Sequence, residues 1–436
     1  MTKRTLCLIL LLTAMTARSA HAQITAIKAG KLIDPETGIT VLNQIILIEG
    51  KVIKSVGAGI QIPASATVID LSTMTVMPGL FDCHTHMCMG VVSGRGIDRK
   101  IVRYILDSYF IGNSTGYRAI QGVANARAML EAGFTTIRDI GNAGNYADTD
   151  LRRAIEEGIV PGPTVINAGR IIGPFGGQFF SSDNGYTVTP ERPEIAGPEY
   201  FFADTRDELK KAIHENIFYG SKVIKIVVDA QPHIYSVEDI RFVIEESRRA
   251  GLKVAAHCGT DAGARNAAMA GVASIEHGSR MSDETLELAK KNNVVLVGTD
   301  FNYHYWLEYG FTEEIARRVY DRGLDRIRRA DRIGTPMAFG ADIIYDSSGK
   351  SRGELSLSLI ESYLDAGLSS KSILQMLTIN AARLLGVDND RGAIKPGLAA
   401  DLIATPENPL DNIQSLKQVR FVMKEGKVFK KNQMVY

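Results

Sequence analysis

Short runs of β-branched and apolar residues alternate, from Phe134 to Asp342, with stretches whose apolar positions recur at helical spacing. A compact apolar run suits a strand buried on both faces, and a helical stretch between two such runs supplies the crossover that parallel strands need. Eight runs read as strands: 80–86, 134–139, 163–168, 223–229, 253–257, 273–277, 294–299 and 336–342. The helical stretches carry readable ends. Ser236, with Asp239 three residues on, starts one; Ile240, Val243 and Ile244 form its apolar stripe and Gly251 stops it. Residues 117–131 run to Gly133 and 206–219 to Gly220 in the same way. Eight such units over roughly 300 residues predict an α/β fold, a (β/α)8 TIM barrel with its chemistry at the C-terminal ends of the strands. An open doubly wound sheet is the alternative, but no glycine-rich dinucleotide loop follows the first strand.

The two ends of the chain have a different pattern. Residues 24–76 alternate apolar and polar positions, with turns at Asp34-Pro35 and Glu49-Gly50, and the tail from Gly392 repeats the habit. Glu49-Gly50-Lys51-Val52 recurs as Glu425-Gly426-Lys427-Val428. The expectation is a small β-sandwich built from 23–77 and 389–436, with the barrel, 78–388, inserted between them.

The first 22 residues have the layout of a secretory signal: Lys3 and Arg4, an apolar core from Leu6 to Met15, and Ala20-His21-Ala22 as a small-x-small cleavage site. Cleavage after Ala22 predicts a periplasmic or secreted protein. It removes Lys3, Arg4 and Arg18, so the formal charge moves from +1 (50 basic, 49 acidic) to −2 (47 basic, 49 acidic). A near-neutral surface gives no reason to expect nucleic acid or, after cleavage, a membrane as partner. Of the four cysteines, Cys7 leaves with the signal; Cys83, Cys88 and Cys258 are too few for a disulfide framework. Cys83 and Cys258 each adjoin a histidine, out of phase with it along the strand, and are expected to pack on the opposite face.

The candidate chemistry begins at Pro78-Gly-Leu-Phe-Asp-Cys-His84-Thr-His86. Side chains at i and i+2 of a strand share a face, so His84 and His86 can reach one ion together. Eight histidines in 436 residues would give about 0.15 such pairs by chance, so the spacing is suggestive alone. His257 closes the fifth strand, His277 the sixth and Asp342 the eighth, which a barrel brings to one rim. Lys225 lies within Val-Ile-Lys-Ile-Val of the fourth strand, where a cation is costly unless neutralised or paired. A lysine with a depressed pKa is a nucleophilic amine that can be carboxylated, and the carbamate can bridge two metals. Each group also has a plainer reading: a satisfied core histidine, a helix cap, a snorkelling lysine. Six of them at successive strand ends favour the joint one.

These residues resemble the amidohydrolase superfamily: His84-x-His86, Lys225, His257, His277 and Asp342 match its binuclear pattern. Asn380-Ala-Ala-Arg-Leu-Leu-Gly386, Gly392-x-Ile-x-Pro-Gly397 and Ala400-Asp-Leu-Ile403 resemble the imidazolonepropionase-related branch, which includes Xaa-Pro and Xaa-Arg dipeptidases and enzymes cleaving N-acyl amino acids. The resemblance implies two divalent ions, zinc, with His84, His86 and Asp342 on one, His257 and His277 on the other, and carboxylated Lys225 between them. It further implies attack by a metal-bridging hydroxide on an amide or peptide bond, with Asp342 as the catalytic proton carrier, and a homo-oligomer.

Departures from the family pattern lie in the loops. Where relatives often carry Thr-Gly-Gly-His-Gly after the third strand, this chain has Phe175-Gly-Gly-Gln178-Phe. Gln178, His233 and Tyr235 are candidates for substrate contact, and His304, beside Tyr303, for a carboxylate. The leading expectation is an exported zinc amidase or dipeptidase taking dipeptides or N-acyl amino acids. A mononuclear imidazolonepropionase- or deaminase-type enzyme would carry His-x-x-Glu on the fifth strand; here the position is Thr260. A non-catalytic relative would be expected to have lost ligands, and none is lost.

Overall fold

The computed structural model describes residues 24–92, 94–141, 143–175, 197–229, 233–347 and 349–431. The signal segment and Gln178 lie outside them. In chain order the strands are β1 (Ile24–Asp34), β2 (Ile39–Glu49), β3 (Val52–Gly57), β4 (Thr67–Pro78), β5 (Leu80–Thr85), β6 (Val91–Val92), β7 (Phe134–Asp139), β8 (Thr164–Asn167), β9 (Ile171–Gly173) and β10 (Tyr200–Phe202). They continue with β11 (Val223–Val227), β12 (Lys253–Cys258), β13 (Ser274–His277), β14 (Val295–Val297), β15 (Tyr345–Asp346), β16 (Leu402–Thr405), β17 (Phe421–Lys424) and β18 (Lys427–Lys431).

The central strands pair in parallel, as β5-β7-β8 and β10-β9-β11-β12-β13-β14. Strands β5, β7 and β11 are buried at every position, as their unbroken apolar runs require. The helices between them start and stop where their caps lie. Ser236 Oγ accepts from the Asp239 amide at 3.1 Å and donates to its carboxylate at 2.6 Å, opening the helix Val237–Arg248. Thr205 and Glu208 form a capping box before Arg206–Phe218.

The third expected strand, 163–168, is observed as β8, and β9 follows it past a turn at Gly169, where φ is +70° and a Cβ would meet Ser221, Tyr146 and Asn216. The eighth, 336–342, has no ladder beyond a single bridge from Met337 to Leu296. Pro336 has no amide hydrogen, and at Gly340 a Cβ would stand 2.4 Å from Val297 and 2.8 Å from His84. The segment still bonds on both sides: Leu296 donates to Pro336 O, Cys83 to Phe339 O, and Asp342 to His84 O at 2.7 Å.

Both ends of the chain enter one seven-stranded sheet, ordered β18-β17-β16-β4-β1-β2-β3. Ile27, Ile46, Ile48, Val76, Leu402 and Phe421 share a core on its inner face, separate from the large core between the parallel strands and their helices. Cys83, Cys88 and Cys258 are free and buried. Among the described residues no helix is long and apolar enough to cross a membrane.

Candidate active site

A cavity of about 400 Å³ opens at the C-terminal ends of the parallel strands, and His84, His86, Lys225, His257, His277 and Asp342 all line it. The strand period puts His84 and His86 on one face of β5. Three residues at the mouth, His277, Thr299 and Asp342, hold left-handed backbones at φ +65°, +50° and +52°. That conformation is costly for side chains other than glycine and recurs where geometry is over-determined by function. It turns His277 inward although its neighbour Glu276 also points into the interior.

Asp342 is the hub. Its Oδ1 lies 3.0 Å from His86 Nε2 and 3.5 Å from His84 Nε2, and its Oδ2 lies 3.7 Å from His277 Nδ1. Ligand atoms of His84, His86 and Asp342 stand within 4.8 Å of one another. The rings of His84 and His277 are 5.0 Å apart and those of His257 and His277 4.5 Å apart. Burial foremost brings the pKa of His84 to about 4 and of His257 to about 3, and moves His277 well down. At neutral pH these imidazoles are therefore uncharged. Against the effect of burial, the bond to Asp342 raises His86, while His84 and His86 hold the Asp342 carboxyl below its ordinary value. Lys225 is 3 % exposed and its Nζ has no hydrogen-bond partner among the described residues; burial lowers its pKa to about 8. Neutral imidazoles, a carboxylate and an unpartnered amine fit a divalent-cation centre with a modified lysine.

Several residues that shape the site escape the sequence reading. Glu276 Oε2 accepts from His84 Nδ1 at 2.8 Å, while its Oε1 accepts from Arg138 at 2.6 Å and from Ser274. Arg138 also donates to Cys83 O at 2.6 Å, tying β5, β7 and β13 together. The signal was present in each case as a charge inside an apolar strand, the same signal that marks Lys225. The far wall of the cavity adds Phe301, Trp306, Tyr309 and Phe311, with Arg322 at its edge.

The loop candidates fare differently. Tyr235 is buried and its hydroxyl donates to Ala203 O at 2.6 Å, so it faces the core and not the cavity. His233 and His304 are exposed and neither lines the cavity. The helix Tyr303–Glu308 begins at its Asn302 cap with Trp306 turned inward, which leaves His304 outside. Arg317 stacks on Tyr303, 4.2 Å from the ring centre. Thr260 serves as the cap of Asp261–Ala270, accepting from the Gly263 amide and donating to Asp229.

The model of the Amidohydrolase family matches residues 75–429. The chain belongs to the amidohydrolase family. Among its relatives is an ochratoxinase of Aspergillus niger, 30 % identical over 451 residues that span 95 % of this chain and 88 % of the relative. An imidazolonepropionase of Deinococcus deserti is 24 % identical over 82 % of this chain and 84 % of its own length. A solved Xaa-Pro dipeptidase with bound methionine superposes with a TM-score of 0.77 at 27 % identity, covering 94 % of this chain and all of the other. This amidohydrolase is thus an α/β protein of TIM-barrel type, a hydrolase of a metal-binding family with a small-molecule substrate, and it carries a His-His-Asp group at the strand ends.

Proposed function

We propose that the protein is an exported binuclear zinc hydrolase of amide bonds in dipeptides or N-acyl amino acids, assembled as a homo-oligomer. The observation that carries the reading is Lys225 Nζ, buried without a hydrogen-bond partner among the described residues on a cavity wall shared with four histidines and Asp342. His84, His86 and Asp342 would hold one ion, His257 and His277 the other, and a Lys225 carbamate would join the two. Bound there, divalent ions acidify a water and polarise a carbonyl. The residues do the rest. Asp342 is ionised at neutral pH and faces the cavity, so it can take a proton from the attacking water and hand it to the leaving amine. Phe301 and Trp306 form an apolar wall that excludes water from one side of the substrate. Arg322 is exposed at the cavity edge and makes no ion pair among the described residues, which suits it to a substrate carboxylate. The mononuclear alternative lacks support, because Thr260 stands where it needs an acid and is occupied as a helix cap.

Metal analysis joined to a hydrolysis panel tests the reading. We expect about two zinc ions per chain, turnover of dipeptides or N-acyl amino acids, and loss of both in Lys225→Ala, with partial recovery in added formate or acetate. One ion per chain, indifferent to Lys225, would defeat the binuclear site. Turnover of lactones or cyclic ureas alone would defeat the substrate class.

A further inference from the structure

We infer that Glu276 is a positioning residue that fixes the tautomer of His84, and that Arg138 and Ser274 make it do so. His84 offers two ring nitrogens. Its Nε2 faces Asp342 Oδ1 at 3.5 Å, and its Nδ1 faces Glu276 Oε2 at 2.8 Å. Both groups are carboxylates that only accept, and the 2.8 Å contact with Glu276 makes a hydrogen bond where the 3.5 Å one with Asp342 does not, so the single proton of neutral His84 resides on Nδ1 and the lone pair of Nε2 is presented to the cavity. His86 is fixed by other means: its Nδ1 donates to the carbonyl of Gly141 at 2.8 Å. A backbone carbonyl cannot be changed by substitution, whereas the partner of His84 can.

The charge of Glu276 is itself held in place. The side chain is fully buried, where a lone carboxylate would take up a proton and become a donor. Arg138 prevents this by donating to Oε1 at 2.6 Å, while Ser274 donates to the same oxygen from two residues earlier on β13. All three hydrogen-bond partners of Glu276 among the described residues thus supply hydrogens, and the residue between them must accept on both oxygens.

Glutamine at this position would keep the shape and fail the pattern. It has one oxygen and one NH2. Arg138 cannot accept, so the amide oxygen must face it and the NH2 must face His84 Nδ1. The proton of His84 then moves to Nε2, and the lone pair needed at the cavity is lost. The tautomer assignment stands on these hydrogen bonds alone; its consequence for metal binding rests on the centre proposed above.

The test uses the full-length protein with its histidines labelled with nitrogen-15. In the metal-stripped wild type, long-range proton–nitrogen correlation should show His84 protonated at Nδ1; the signal is assigned as the one lost in His84→Gln. Glu276→Gln should move that proton to Nε2 and weaken zinc binding, measured by chelator competition, by about 10- to 100-fold, with the thermal midpoint of the stripped protein little changed. Glu276→Asp, which accepts on both oxygens, should keep the Nδ1 proton. A wild-type His84 protonated at Nε2 would overturn the inference whether or not either variant folds, and so would a Glu276→Gln protein with wild-type tautomer and zinc affinity. If the wild type binds no zinc while His84 carries its proton on Nδ1, the inference stands and the metal centre fails.

Discussion

A buried ammonium without a partner is expensive, and Lys225 lowers the cost by giving up its proton: burial foremost brings its pKa from 10.5 to about 8. Between those two values the unfolded chain binds one more proton than the folded one, so stability rises with pH across that window, while below pH 8 the whole penalty persists. Metal-free protein in carbon-dioxide-free buffer should therefore be less stable than metal-free Lys225→Met at pH 7, and the gap should shrink by about 3 kcal/mol as pH rises from 8 to 10.5. Urea midpoints of both proteins at pH 7, 9 and 10.5 measure it; a gap that does not change with pH would mean that Lys225 has found a partner. The same logic explains what was readable in the sequence. His84, His86 and Lys225 declare themselves by strand period and by a charge in an apolar run. Arg138 and Glu276 share the second signal, but nothing local pairs two residues 138 positions apart.

At the scale of elements, apolar stripes and caps locate the helices to within a residue or two, since Thr115–Glu131 and Arg206–Phe218 end at the glycines that the sequence marks. Strand 336–342 and the extra strand β9 were less legible, because close approaches at Gly340 and Gly169 depend on neighbours distant in the chain. Substrate contacts were the least legible of all. Arg322 lies on Glu313–Ile333, a helix so rich in surface charge that any one arginine reads as solvated, and only the fold shows that this stretch of the helix lines the cavity. Arg322→Ala should raise KM for substrates with a free α-carboxylate by about 10- to 100-fold, the worth of a charged hydrogen bond. The matching C-terminal amides should be unaffected. Steady-state kinetics on such pairs distinguishes recognition by Arg322 from a general disturbance, which would raise both.

The whole molecule is tied together at its ends. The two Glu-Gly-Lys-Val repeats both form hairpin turns, and in the folded chain the turns meet: Lys51 pairs with Glu425 at 3.1 Å, and a Cβ on Gly426 would stand 2.1 Å from Gly50 O. The echo in the sequence marks two turns of one type but does not show that they touch, which depends on β16 reaching β4 across more than 300 residues of intervening chain. Gly426 has φ +74°, as does Gly251 at +73°, where a Cβ would meet nothing within 4 Å. Alanine at Gly251 thus costs only the backbone preference, about 1 kcal/mol, whereas alanine at Gly426 adds a collision with backbone that cannot turn aside, for a total of about 3 kcal/mol. Urea unfolding of the two variants isolates the contact as their difference. No described residue of the seven-stranded sheet lines the cavity. Gly426→Ala should therefore lower the unfolding midpoint while leaving kcat per folded molecule unchanged. A loss of kcat in proportion to stability would instead mean that the closure of the termini reaches the site, through Pro78-Gly79 and the amide of Gly79 that donates to Asp401 O just before β5.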